Sequence, residues 1–228
     1  MSMEQNIAKR IPYGVSDFVK VMEQNQYYVD KTMYIPMLED EPSYLFFIRP
    51  RRFGKSLFLS MLHAYYDINT KDKFQDWFGN LWIGKHPTPL QGSFQVLHLD
   101  FSQVNGTIEK LEESFDKYCR VKFDSFVDIY KEYYEPEFIQ KVENAETAID
   151  KLTLINDESK KHSYSLYLII DEYDNFTNTV LNEQGEDVYW GITHAEGFYR
   201  DQLDFPIFMP PALLRLEDFD GLDEPPSS

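Results

Sequence analysis

Gly54, Lys55 and Ser56 stand in a row behind the basic turn Arg49-Pro50-Arg51-Arg52-Phe53, an order of residue types suited to holding a phosphate chain. Where such a triplet opens a helix, backbone N–H groups and the helix N-terminus face the phosphates. The lysine neutralises the β and γ oxygens, and the serine hydroxyl ligates Mg²⁺. A second chemical feature closes the apolar run Leu166-Tyr167-Leu168-Ile169-Ile170: the acids Asp171 and Glu172. An aspartate at a strand end can reach Mg²⁺ through a water, and a following glutamate can polarise an attacking water. By itself Asp-Glu after a strand is a polar exit and no more; paired with Gly-Lys-Ser after another apolar strand, metal-assisted hydrolysis is the stronger reading. One position departs from the usual loop. The pattern G-x-x-x-x-G-K-S/T puts glycine where this chain has Arg49.

These residues need strands and helices to carry them. Tyr44 to Ile48 is an unbroken apolar run and reads as a buried strand, while Leu57, Met61, Leu62 and Tyr65 follow the triplet at helical spacing. A second strand is expected over 94–100, with Asp100 near its C-terminal end and His98 inside it as a core histidine. A third is expected over 166–171. Strands alternating with helices imply an α/β fold, a parallel sheet with helices on both faces of phosphate-loop (P-loop) NTPase type.

Around that frame, Ser16 or Asp17 is placed to cap a helix over Phe18 to Gln24, and a second helix is expected from Thr32 to Glu39. Asp30 suits either a cap for the second helix or a functional role. Residues 71–83 suggest a short amphipathic helix and a turn, with Phe74, Trp77, Phe78 and Trp82 as packing residues. Helices dominate 107–155. Leu111, Phe115, Tyr118, Val121, Phe126, Ile129 and Tyr130 mark the first, and Pro136 divides it from a second carrying Phe138, Ile139, Val142, Ala145, Ile149 and Leu152. A further helix is expected over 192–203, where Arg200 is either a charge-stabilising finger or an exposed helix residue. From 204 to 228 the chain is acidic and proline-rich, which reads as a tail ordered at most locally.

The net charge of −17 over 228 residues argues against a large nucleic-acid footprint, so direct nucleic-acid binding is not expected. Arg49, Arg51, Arg52 and Lys55 nevertheless form an isolated basic cluster, which suits a small polyanion bound at one point. No apolar run reaches the roughly 18 residues of a membrane span, and the N-terminus lacks a signal peptide's pattern. The single cysteine, Cys119, fits a reducing compartment, so a cytoplasmic protein is expected.

At five places the chain resembles the predicted AAA-ATPase-like proteins of gut and other anaerobic bacteria. The residues are Ile11-Pro12-Tyr13-Gly14-Val15-Ser16-Asp17-Phe18, Tyr28-Val29-Asp30-Lys31-Thr32, Arg49 to Leu57, His98-Leu99-Asp100-Phe101-Ser102, and Ile169-Ile170-Asp171-Glu172-Tyr173-Asp174. In that family the loop carries Arg where others carry Gly, so Arg49 marks a variant. The resemblance implies that Arg49, Pro50, Arg51, Arg52, Phe53, Gly54, Lys55, Ser56 and Leu57 line a nucleotide, that Ser56 and Asp171 hold Mg²⁺, and that Glu172 is the base. Two roles stay open for Arg52, phosphate contact or pairing with an acid such as Asp30.

ATP is the default nucleotide, since no N-K-x-D motif of guanine binders is present. The expected organisation is one domain over 1–203, with 1–43 packed on it, followed by the 204–228 tail. Family members continue into a sensor strand and a helical lid. Pro206, Pro210 and Pro211 suit a central strand poorly, so the sheet is expected to be incomplete at its C-terminal edge and the chain truncated or frameshifted. Longer relatives often carry a nuclease-like domain of PD-(D/E)xK type, and no such residues occur here. The expected function is an ATP-binding, Mg²⁺-dependent ATPase acting as a conformational switch. Its rival is a catalytically inactive truncated remnant, a nucleotide-binding or protein-interaction module with a protein partner or its own copy.

Overall fold

Apolar residues at helical spacing build the first part of the chain. The computed structural model describes residues 9–40, 53–104, 108–162 and 165–172. They fall into two compact units, the first containing 9–40, 53–65 and 70–91 and the second 66–69 and the described residues from 92 onward.

In the first unit, helix α1 (Phe18–Glu23) starts at Asp17, whose carboxylate accepts the Lys20 N–H at 3.2 Å. The expected cap and helix are thus both present. A 3₁₀ turn, Thr32–Tyr34, runs into α2 (Ile35–Asp40), close to the expected second helix. Helix α3 (Lys55–Tyr66) buries Met61, Leu62 and Tyr65 on the face that its spacing foretold. The expected helix over 71–83 is instead a 3₁₀ turn, Ile68–Lys73, followed by the short helices α4 (Phe74–Phe78) and α5 (Trp82–Lys85). Aromatic rings fill the middle: Phe18 stacks on Phe78 at 4.9 Å, and Tyr65 meets Phe78 edge-on at 5.5 Å. Trp77 and Phe78 are buried, so they pack as expected. The Tyr65 hydroxyl, deep in this core, accepts the Thr88 N–H at 2.9 Å, and the Thr88 hydroxyl donates to Glu39 at 2.8 Å.

The second unit is built on two strands. Strand β1 (Phe94–Asp100) lies parallel to β2 (Ser165–Asp171), with Phe94 opposite Ser165 and Asp100 opposite Asp171. Parallel neighbours need a crossover, and three helices supply it: α6 (Ile108–Ile129), α7 (Pro136–Glu143) and α8 (Ala148–Lys161). The α/β class therefore holds, with a two-stranded parallel sheet among the described residues. Phe115, Cys119, Phe123, Phe126 and Val127 form the buried stripe of α6, against Leu97 and Leu99 of β1 and Leu152 and Ile155 of α8.

Two expectations need correction here. Val121 and Ile129 are 60% and 59% exposed, because the stripe is set by 115, 119, 123 and 127 and both lie off that face. The helix expected to follow Pro136 without a break is two helices. Asn144 ends α7, and Thr147 starts α8 by accepting the Asp150 N–H at 3.1 Å. Asp116 of α6 also takes the Ala148 N–H at 2.8 Å. Buried Lys151 then bonds Asp124 and the Val142 carbonyl, each at 2.6 Å, and the Glu143 carbonyl at 3.0 Å, closing the α7 C-terminus. No helix among the described residues is long and apolar enough to cross a membrane.

Cys119 gives this core a pH signature. Burial, and after it the Asp116 carboxylate, pushes its thiol from 9.0 up to about 12. Above about pH 9 the unfolded chain has lost a proton that the folded chain keeps, so stability falls as pH rises through that window. Urea unfolding should show wild type losing about 1 kcal/mol more than Cys119→Ala between pH 8 and pH 10. Equal losses would contradict the burial argument. The buried thiol should also resist alkylation until the protein unfolds.

Candidate functional site

The Gly54-Lys55-Ser56 segment, in the first unit, starts from a backbone requirement. Gly54 has φ +77°, the left-handed region where a Cβ is strained, although a Cβ there would meet no atom within 4 Å. Glycine is thus needed at this position for its backbone conformation. The turn delivers Lys55 as the first residue of α3, and the Phe58 N–H bonds the Gly54 carbonyl at 3.0 Å. A helix start presents amide hydrogens and the positive end of the helix dipole. Lys55, Ser56 and Leu57 are half-buried on its first turn, and Phe53 before it is 63% exposed. Phe18 of α1 donates its N–H to Ser60 Oγ at 3.0 Å, which ties α1 to this helix. Arg49, Pro50, Arg51 and Arg52 lie outside the described residues, as do the strand expected at 44–48, the helix expected at 192–203 with Arg200, and the 204–228 tail.

Asp171 and Glu172 belong to the second unit. Asp171 is the last residue of β2 and only 5% exposed. Its Oδ1 accepts the Glu172 N–H at 2.9 Å, and Glu172 takes φ +55°, uncommon for a residue other than glycine. The regular extended backbone therefore stops at Asp171, with Glu172 the first residue past the strand. Directly beside Asp171 in the register stands Asp100, at the same end of β1. Its carboxylate accepts the Ser102 N–H at 3.0 Å. In parallel sheets this carboxyl end is where ligands bind. Nothing in the sequence announced that Asp100 and Asp171 are partners, since register is a property of the folded pair. His98 is half-buried within β1, and among the described residues no group of three or more His, Cys, Asp or Glu is placed to hold a metal.

The segment Tyr28-Val29-Asp30-Lys31-Thr32 is a clasp. Asp30 Oδ1 accepts the Thr32 N–H at 2.9 Å and the Thr32 hydroxyl at 2.7 Å, while Oδ2 accepts the Trp82 N–H at 2.7 Å. Thr32, fully buried, accepts the Ile83 N–H at 3.1 Å. Trp82 and Ile83 open α5, whose own cap position is Leu81 and has no side-chain oxygen to offer. Asp30 and Thr32 thus cap α5 from a distant part of the chain; the cap position of the 3₁₀ turn is Lys31, one residue on from the expected Asp30, and makes no side-chain cap bond. Burial, with the Asp30 charge behind it, raises the neighbouring Tyr28 hydroxyl well above its usual range.

Comparison with known proteins gives the chain a family. A stretch of 55 residues is 47% identical to a protein of Azotobacter chroococcum mcd 1 described as "Uncharacterized protein in vnfD 5'region"; the stretch is 24% of this chain and 11% of that protein. The chain thus matches only a small part of that relative's length. No solved structure matches the chain. The match that decides the family is to the model described as "Predicted AAA-ATPase", which fits residues 12–205 and so takes in Gly54, Lys55, Asp171 and Glu172: the chain belongs to the predicted AAA-ATPase family.

Proposed function

We propose that this chain is an ATP-binding domain of P-loop NTPase fold that hydrolyses ATP with Mg²⁺ and changes conformation as it does so. The observation that carries the reading is the left-handed Gly54 delivering Lys55 to the start of α3, in a chain of this family. Lys55 neutralises the phosphate oxygens, and the amides of the first helical turn orient them. Arg49 to Leu57 line the nucleotide, and the basic residues among them concentrate positive charge locally in a chain whose net charge is −17.

Ser56 and Asp171 are hard oxygen donors, few in number. That suits Mg²⁺, which takes most of its ligands from phosphates and water. Held by these two residues, the ion would supply positive charge against the negative charge that develops on phosphoryl transfer. Glu172 orients the attacking water. It directly follows the buried Asp171 at the end of β2, with a left-handed backbone.

The test is a single-turnover assay with Mg-ATP. Glu172→Gln keeps the side-chain shape and should keep nucleotide binding while slowing hydrolysis by at least about 100-fold. Equal turnover in wild type and variant would remove Glu172 from this role. Binding without turnover in wild type would leave a nucleotide-binding module in place of an enzyme.

A further inference from the structure

The acid-bearing end of β1 is held from outside the sheet. Amides along a strand point alternately to its two edges, so those of Val96 and Asp100 share one edge. Both are taken by tyrosine hydroxyls: Val96 N–H donates to Tyr130 at 2.8 Å and Asp100 N–H donates to Tyr118 at 2.7 Å. Tyr118 lies in α6 and Tyr130 directly follows it, so one helical element grips the edge of β1 that β2 does not use. The Tyr118 ring also lies edge-on to buried Phe101 at 6.2 Å, next to the Phe101–Phe115 pair at 5.2 Å. The grip at Asp100 falls opposite Asp171 in the register.

We infer that Tyr118 is a positioning residue: by fixing the Asp100 backbone it sets the end of β1 against which Asp171 and Glu172 leave β2. The inference rests on the nucleotide-site reading above. It makes α6 the element through which movement elsewhere in this unit reaches the metal-binding carboxylate.

The sister tyrosine supplies the control. Tyr130 is 1% exposed and its hydroxyl also interacts with Asp67, whereas Tyr118 is half-buried. A purely structural role therefore predicts that Tyr130→Phe is the more damaging change in every assay. Positioning predicts the reverse order in one assay, the Mg²⁺ concentration giving half of the thermal stabilisation by a non-hydrolysable ATP analogue. Tyr118→Phe should raise that concentration roughly fivefold, the scale of one lost hydrogen bond, while Tyr130→Phe lowers the melting temperature more and shifts Mg²⁺ dependence less. Hydrogen exchange on the full chain should show the Asp100 amide exchanging faster in Tyr118→Phe. If wild type responds to Mg²⁺ and the Tyr118→Phe shift is no larger than that of Tyr130→Phe, the positioning role is overturned and the nucleotide site stands. If wild type shows no Mg²⁺ response with the analogue, the nucleotide-site reading falls and this inference with it.

Discussion

Lys55→Ala is expected to abolish the thermal stabilisation that Mg-ATP gives the wild-type chain. A ligand at 100 times its dissociation constant adds about 2.7 kcal/mol to the native state. For a chain of this size that raises the melting temperature by roughly 5–10 °C, well above the error of the measurement. The variant removes the one side chain that the Gly54 turn carries to the start of α3, and with it the charge opposite the β and γ phosphates. In a chain of net charge −17, no diffuse positive field replaces it. Lys71→Ala makes the same change of net charge at an exposed site in the same unit and should leave the nucleotide response intact. Lys55→Arg should restore it only in part, because a planar guanidinium does not occupy the place of a compact ammonium. An unchanged melting shift in Lys55→Ala would refute the site assignment.

Local features were the ones the sequence disclosed. Asp17 caps α1, and β1 covers 94–100, because capping chemistry and apolar runs act over a few residues. The break at 144–147 escaped notice because Phe138, Ile139, Val142, Ala145, Ile149 and Leu152 keep a helical rhythm across it. The signal was Thr147 with Asp150 three residues on, a side-chain cap inside an apolar pattern.

For the candidate site, Gly54-Lys55-Ser56 and Asp171-Glu172 could be picked out as residue types; the left-handed turns at Gly54 and Glu172 could not. Nor could the pairing of Asp100 with Asp171, or the grip of Tyr118 on Asp100, which depend on how strands and helix come to lie together. Tyr118 was legible only as an apolar position on α6, since periodicity registers a ring and is blind to its hydroxyl.

The Tyr28-to-Thr32 motif shows that a family-type run need not touch the chemistry. Asp30 had two readings, cap or functional acid, and the structure gives its carboxylate to Thr32 and Trp82. Asp30→Ala should destabilise the first unit by about 2–4 kcal/mol, since it strips acceptors from two backbone amides and a hydroxyl at a half-buried place. α5 is the most exposed to this loss. It spans only Trp82–Lys85, too short to form alone, and Leu81 offers it no cap. Thr32→Val should cost less, about 1–2 kcal/mol, because it keeps the volume and the Asp30 bonds to both amides while removing the acceptor for Ile83 N–H. The two losses should not add in the double variant, because they remove parts of one network. The measurement is urea unfolding followed by near-ultraviolet signal from the tryptophans, of which Trp77 and Trp82 lie in this unit. A structural clasp lowers stability without changing nucleotide affinity in protein that remains folded. If Asp30→Ala instead left stability intact and weakened Mg-ATP binding, Asp30 would belong to the nucleotide site, and the functional reading of the motif would replace the structural one.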